Sequence, residues 1–364
     1  MTFRHLIQEL EQWAPPALQE SYDNSGLMVG EAATLCTGAL LTLDITEAII
    51  QEAEDRGCNL ILAHHPIWFQ PRKRLNGEDL VSRCILMAAR KNIGLYSIHT
   101  NLDNVQHGVN KVIADRLGLK QVKILDPKSG LIGKLVVYVP ETHREVVLSA
   151  LFEAGAGNIG KYQDCSFQVS GTGTFRPLAE ANPYIGISGR LESVSETRIE
   201  VIFPIWAKNK ILQAMYGAHP YEEVAYQVFK TENSISEYGA GMIGTLDTAI
   251  PKQEFLQLVR NAFQTGNIRY ADKTGDSVQK IAICGGSGSF LISRAMQMGA
   301  DALVTADVTY HKFFEGEGKM MILDIGHYES EQFTPWLIHE YLSEKFPNFA
   351  LHLSKIRTNP VQYF

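Results

Sequence analysis

Two adjacent histidines, His64 and His65, close the apolar run LILA and are followed at once by Pro66. Neighbouring side chains on a regular strand point to opposite faces. A histidine pair at a strand end therefore needs its own explanation. Pro66 keeps His65 out of the α region, so the chain leaves the sheet extended, and past the last paired residue strict alternation lapses. Two imidazoles can then reach points a few Å apart. Two-metal sites hold their ions roughly 3.5–4 Å apart, so one imidazole per ion would account for the pair. Imidazole nitrogens with carboxylate oxygens suit zinc, iron or manganese rather than calcium.

Further residues of the same kind sit at the ends of other strand-like runs. Asp44 closes GALLTLDI, and His99 closes IGLYSIHT, with Thr100, Asn101 and Asp103 beyond it. Gly285, Gly286 and Ser287 follow VQKIAIC, Asp307 and His311 follow ADALVTA, and His327 and Glu331 follow KMMILDIG. Each alone has an ordinary explanation. The histidine pair could cap strand carbonyls, Asp103 could serve a turn, and His327 with Glu331 could be a surface pair one helical turn apart. His311 could be a half-buried helix residue. CGGSGSF resembles a phosphate-cradling turn, because successive backbone N–H groups make anion nests. It lacks the GK[ST] ending of a P-loop, and GxGxxG is absent. A tight turn beside the other residues is its first reading and phosphate binding its second. What unites the set is position, since functional residues of open parallel α/β sheets gather beyond the carboxyl ends of the strands.

The elements that must position them alternate. GALLTLDI, NLILAHHP and IGLYSIHT read as strands, separated by the helical segments TEAIIQEAEDRG and DLVSRCILMAARKN, with HGVNKVIADRLGL helical after the third. Thr46 is the expected N-cap of the first helix and Gly57 its stop. The last third repeats the habit, with DVTYHKFFEGEG expected as a helix and Thr334 and Pro335 expected to cap and open the final one. Such alternation predicts a parallel sheet covered by helices. The middle differs: two strand–helix–strand halves predict a ferredoxin-like α+β insert. The expected organisation is a split three-layer α/β domain with a mostly parallel sheet. Residues 1–128 form its first part, 129–232 the insert, and 233–364 its second part. KTENSISEYGAGMIG, polar and Gly-rich, is expected as the return linker. Within the insert, His219-Pro220-Tyr221-Glu222-Glu223 reads first as a turn into a strand.

Composition narrows the function classes. The chain has 364 residues, 45% hydrophobic and 20% charged, with a net charge of −7, as befits a folded protein with a sizeable core. No basic block is present, which argues against broad nucleic-acid binding. The N-terminus lacks the apolar core of a signal peptide, and no apolar run approaches the roughly 20 residues of a membrane helix. Five scattered cysteines without CxxC read as reduced core thiols of a cytoplasmic protein.

Taken together, Tyr22-Asp23-Asn24-Ser25-Gly26-Leu27, the HHP segment, His99-Thr100-Asn101-Leu102-Asp103, Thr305-Ala306-Asp307-Val308 with His311, and Gly326-His327-Tyr328-Glu329-Ser330-Glu331 resemble the motifs of one family. It is the GTP cyclohydrolase 1 type 2 homologue family, also called the NGG-interacting-factor-three-like proteins. The likeness runs nearly end to end, and the insert is similar to the CutA-like or PII-like domain of the long bacterial members. The opening motif often has Trp where this chain has Tyr22, which keeps a bulky ring. The resemblance implies two divalent metal ions per chain, held by His64, His65, Asp103, His327 and Glu331, with Glu331 or Asp103 bridging. It also implies a ring-shaped homohexamer.

The implied reaction is hydrolysis of a nucleotide-like or heterocyclic small molecule by water activated between the ions. The family name implies GTP, opened at the imidazole ring to give dihydroneopterin triphosphate and formate. His99 or His311 would shuttle protons, Asn24 and Asp44 would orient water or substrate, and Gly285, Gly286 and Ser287 would hold phosphate oxygens. The alternatives are a dinuclear phosphatase or phosphodiesterase on another nucleotide, and a metal-binding scaffold or sensor without turnover.

Overall fold

The computed structural model describes residues 1–363. Strands are numbered along the chain: β1 (Gly26–Val29), β2 (Ala39–Thr42), β3 (Leu60–Ala63), β4 (Gly94–Ser97), β5 (Lys120–Ser129), β6 (Ile132–Pro140), β7 (Phe167–Phe175), β8 (Glu192–Pro204), β9 (Tyr226–Lys230), β10 (Ser234–Pro251), β11 (Arg269–Ala271), β12 (Ser277–Ser287), β13 (Ala302–Ala306), β14 (Met321–Asp324) and β15 (Leu351–Leu353). The chain divides into two compact units, Met1–Pro127 with Ser236–Phe364, and Lys128–Ile235.

The larger unit is mixed α/β and contains two sheets where one was expected. The first has the order β1-β4-β3-β2-β15. β15, β2, β3 and β4 are parallel, and β1 is antiparallel at the edge. β2, β3 and β4 are buried along their whole length, as parallel strands covered on both faces must be. Helices Glu47–Asp55 and Leu80–Arg90 pack Ile49, Ile50, Ala53, Cys84 and Ala88 onto Leu40, Ile61 and Leu95. Thr46 caps the first as expected, its hydroxyl accepting from the Ile49 N–H at 3.3 Å. The second sheet has the order β11-β14-β13-β12-β10-β5. Here β12, β13 and β14 are parallel, flanked by antiparallel β10 and β11. Local periodicity shows which segments are strands. It does not show that β15, near the end of the chain, pairs with β2, nor that the two halves keep separate sheets.

Three local expectations are corrected. The Gly-rich return linker is instead β10, which pairs with β12 from Met242↔Ile283 onward. Its glycines allow close approach rather than breaking the strand. A Cβ on Gly241 would lie 2.7 Å from the Ile283 carbonyl oxygen, and one on Gly244 would lie 2.9 Å from that of Lys120. DVTYHKFFEGEG forms a short 3-10 helix, Tyr310–Gly316, ended by Glu317 and Gly318, both at positive φ. The last helix, Thr334–Lys345, begins one residue early, with Phe333 rather than Thr334 at the cap.

The smaller unit is a four-stranded antiparallel sheet of order β7-β8-β6-β9. Helices Arg144–Glu153 and Lys208–Ala218 bury Val147, Leu148, Leu151, Ile211 and Met215 against Leu135, Val137, Ile199 and Val201. His219 ends the second helix in a turn: its Nε2 lies 2.9 Å from the Tyr138 carbonyl oxygen, and Nδ1 accepts from the Tyr221 N–H at 3.1 Å. Among the described residues no helix is long and apolar enough to cross a membrane. No cysteine is in a disulfide; Cys58, Cys84 and Cys284 are buried, while Cys36 and Cys165 are only half-buried.

Candidate metal centre

The carboxyl ends of both parallel sheets of the larger unit supply one cluster. His64 and His65 follow β3, and their N–H groups still donate to Thr42 and Leu43, at 3.2 and 3.0 Å. The strand pairing thus persists while the side chains swing to the same region, with ring centroids 5.0 Å apart. Asp103 lies on the turn Thr100–Asp103 after β4. His327 and Glu331 lie on the helix His327–Glu331 that follows β14, one turn apart and so on one face.

Glu331 is the hub. Its Oε2 lies 2.9 Å from His65 Nε2 and 3.0 Å from His327 Nε2. Its Oε1 lies 3.9 Å from His64 Nε2, which is itself 3.6 Å from Asp103 Oδ1. The two oxygens of one buried carboxylate therefore face two different donor groups. His64 with Asp103 and Glu331, and His65 with His327 and Glu331, each bring three ligand atoms within 4.8 Å of one another, as do His64, His65 and His99.

Each imidazole is held from behind. Nδ1 of His65 is 2.7 Å from Asp44 Oδ1, that of His327 is 2.7 Å from Asp307 Oδ2, and that of His99 is 2.8 Å from Asp23 Oδ1. His64 uses the Ile98 carbonyl oxygen at 2.8 Å. Acceptors at Nδ1 fix the tautomer and turn every Nε2 inward, the arrangement found behind metal-bound histidines. The supports are themselves tied: Thr358 donates to Asp44, Ser287 to Asp307, and Thr100 to Asp23.

Two buried atoms in the cluster, His64 Nε2 and Asp103 Oδ1, have no hydrogen-bond partner among the described residues. Orphaned buried polar atoms are costly, and a cation between them would satisfy both. The donor set, nitrogen and oxygen only, fits a first-row divalent ion.

The charges agree. Burial alone would lower the pKa of His65, but hydrogen bonds to Asp44 and Glu331 outweigh it and raise it to about 9. His327, likewise desolvated, is raised to about 11 by Glu331 and Asp307. Desolvation, reinforced by the charge of Glu331, raises Asp103 to about 7. For Glu331 desolvation is overcome by His327 and the other histidines, and its carboxyl stays well below the ordinary range. In His99 desolvation wins over the Asp23 bond and lowers the pKa.

A cavity of about 420 Å³ opens onto the cluster, lined by Asp44, His65, His99, Asp103, Gly285, Gly286, Ser287, His327 and Glu331, among others. The glycine turn fits tightly: a Cβ on Gly286, whose φ is +58°, would lie 2.5 Å from Glu331 Oε1. Asn24 does not line the cavity; its side-chain amide donates to the Trp68 carbonyl at 3.1 Å. His311 is not brought to the cluster. It is exposed, with its ring against Tyr310 and Phe314.

Comparison with known proteins matches the family described as Duf34/NIF3 (NGG1p interacting factor 3) over residues 1–360. The chain belongs to the Duf34/NIF3 family. Its relatives include a Halalkalibacterium halodurans protein, 37% identical over 98% of both chains, and a Bacillus subtilis protein, 34% identical over 99% of this chain and 98% of the other. Both are named GTP cyclohydrolase 1 type 2 homolog. Among solved structures, a Bacillus cereus protein related to NIF3 superposes with a TM-score of 0.83 at 35% identity, covering 100% of this chain and 99% of that one. A Staphylococcus aureus protein does so at 0.78 and 27%, with the same coverage. In this Duf34/NIF3 chain, reading residue types missed the support given by Asp23, although it stands in the opening motif. Asp23 also closes the local turn from Glu20, its N–H donating to that carbonyl at 3.0 Å, so its residue type carried no separate signal.

Proposed function

We propose that the cluster is a dinuclear metal centre and that the protein is a metal-dependent hydrolase of a nucleotide-like heterocycle, resembling GTP cyclohydrolase 1 type 2. The observation that carries this is Glu331, whose two oxygens face two separate histidine groups beside two orphaned buried atoms. His64, Asp103 and Glu331 would hold one ion, and His65, His327 and Glu331 the other. Divalent ions held there would supply Lewis acidity and a lowered pKa for water. The chain's own residues do the rest. Asp44, Asp307 and Asp23 orient imidazoles. His99, neutral and committed at Nδ1, accepts or returns a proton at Nε2 on the cavity side. Phe69, whose ring centroid is 5.6 Å from that of His99, stands beside that imidazole in the cavity wall.

The strand order of the smaller unit supports reading it as a ferredoxin-like, CutA- or PII-like insert. A homohexamer in the cytoplasm completes the proposal. His64→Ala and Glu331→Ala should each lose most bound metal, measured per chain by plasma mass spectrometry, while staying folded. Full occupancy in both would sink the ligand set. Metal without turnover of GTP or any other nucleotide would leave a scaffold or sensor, and turnover of a generic phosphodiester but not GTP would leave a phosphodiesterase.

A further inference from the structure

The cavity over the cluster has an uneven chemical character. Glu20, Asp44, Asp103 and Glu331 line it, and among the described residues no lysine or arginine does. Two divalent ions would do no more than balance these four carboxylates, so even a loaded site offers a polyphosphate little net attraction. The glycine turn does not compensate. The Gly285 N–H is donated to the Asn110 side chain, that of Gly286 to Ser330 Oγ, and that of Gly288 to Thr305 Oγ1, at 3.0, 3.0 and 2.9 Å. An anion nest needs such groups unspent. A second cavity, about 510 Å³, reaches His65 and His327 from another side. Among the described residues its lining holds one arginine and no lysine; that Arg269 is held by Asp324 at 3.2 Å and by the Val308 carbonyl at 2.8 Å, and Asp44, Asp307 and Glu329 also line it.

What the first cavity does offer is aromatic surface. Tyr22, Phe69 and Phe290 line it and are 60%, 45% and 62% exposed. Three large rings left open around one acidic cavity form a surface for a flat ring, which stacks without charge.

We infer that this site recognises its substrate through a planar heterocycle stacked on Tyr22, Phe69 and Phe290, and that it takes no binding energy from a polyphosphate. The inference rests on the hydrolase reading above and narrows its substrate to the nucleoside part. The test is calorimetry on the full-length protein loaded with manganese, its metal content checked after each titration. The probes are guanosine, GTP and inorganic triphosphate. Guanosine should bind within about threefold of GTP, triphosphate should not displace it, and Phe290→Ala should weaken guanosine by about fivefold or more. GTP binding about tenfold tighter than guanosine, displacement by triphosphate, or no saturable guanosine binding would each overturn it. So would unchanged guanosine affinity in Phe290→Ala. If light scattering then shows a changed oligomer, the ring is a subunit contact instead. The two readings fail separately: guanosine binding without turnover refutes the hydrolase, and GTP turnover without guanosine binding refutes the ring inference.

Discussion

Metal binding at this cluster should be a proton exchange. His65 has its pKa raised to about 9 and His327 to about 11, so at neutral pH both carry protons on nitrogens an ion would need. The sign follows directly: below those values protons occupy the ligands, and as pH rises toward them the ligands are freed. Apparent affinity therefore climbs with pH. For His65, two pH units below its pKa, the competition costs about 100-fold at pH 7, or roughly 2.7 kcal/mol. An ordinary histidine would be mostly free there. Zinc titrated against a chromophoric chelator at pH 6, 7 and 8 should tighten by about tenfold per unit or more. Calorimetry in buffers of different ionisation enthalpy should count about two protons released per chain at pH 7. Affinity independent of pH over this range, with no proton release, would refute the reasoning and with it the inward-facing Nε2 geometry.

Gly286→Ala places a Cβ 2.5 Å from Glu331 Oε1 at a φ of +58°. It should cost about 1–2 kcal/mol in urea unfolding and lower metal occupancy; wild-type occupancy would show that Glu331 tolerates displacement. Asp307→Asn should weaken metal binding by about 10–100-fold, because His327 loses the charged partner of Nδ1. Equal affinities would demote Asp307 to a surface residue. Ile211→Ala, in the core of the smaller unit, should destabilise that unit by about 2–5 kcal/mol. Metal content should be retained, since every candidate ligand lies in the other unit. Thr46→Ala should cost about 1 kcal/mol through the lost cap, read as a shift in the urea midpoint.

Much of the candidate cluster was legible because strand ends are legible. LILA before His64 and MILD before His327 are short apolar runs with a punctuated end, and parallel topology sends such ends to one side. The supporting shell was less so. Asp44 was singled out, but Asp23 and Thr358 reach the cluster across contacts that no local pattern encodes; Thr358 meets Asp44 over 314 residues. His311 shows the opposite failure. It follows β13 within a few residues, as His327 follows β14, yet it lies on the 3-10 turn Tyr310–Gly316 and is exposed. β10 was hidden because its glycines look like loop residues until the backbones packed against them are known.

The candidate ligands are shared between distant parts of the chain: His65 meets Glu331 over 266 residues. A ribosome-bound chain holds His64, His65 and Asp103 long before Glu331 is added. A nascent chain can therefore offer an incomplete, weaker set of donors and no more. Loading of the complete centre has to wait for the segment that carries Glu331. The ion then joins early and late segments, so chelation should loosen the helix His327–Glu331 from the segments after β3 and β4 while β15 stays paired with β2.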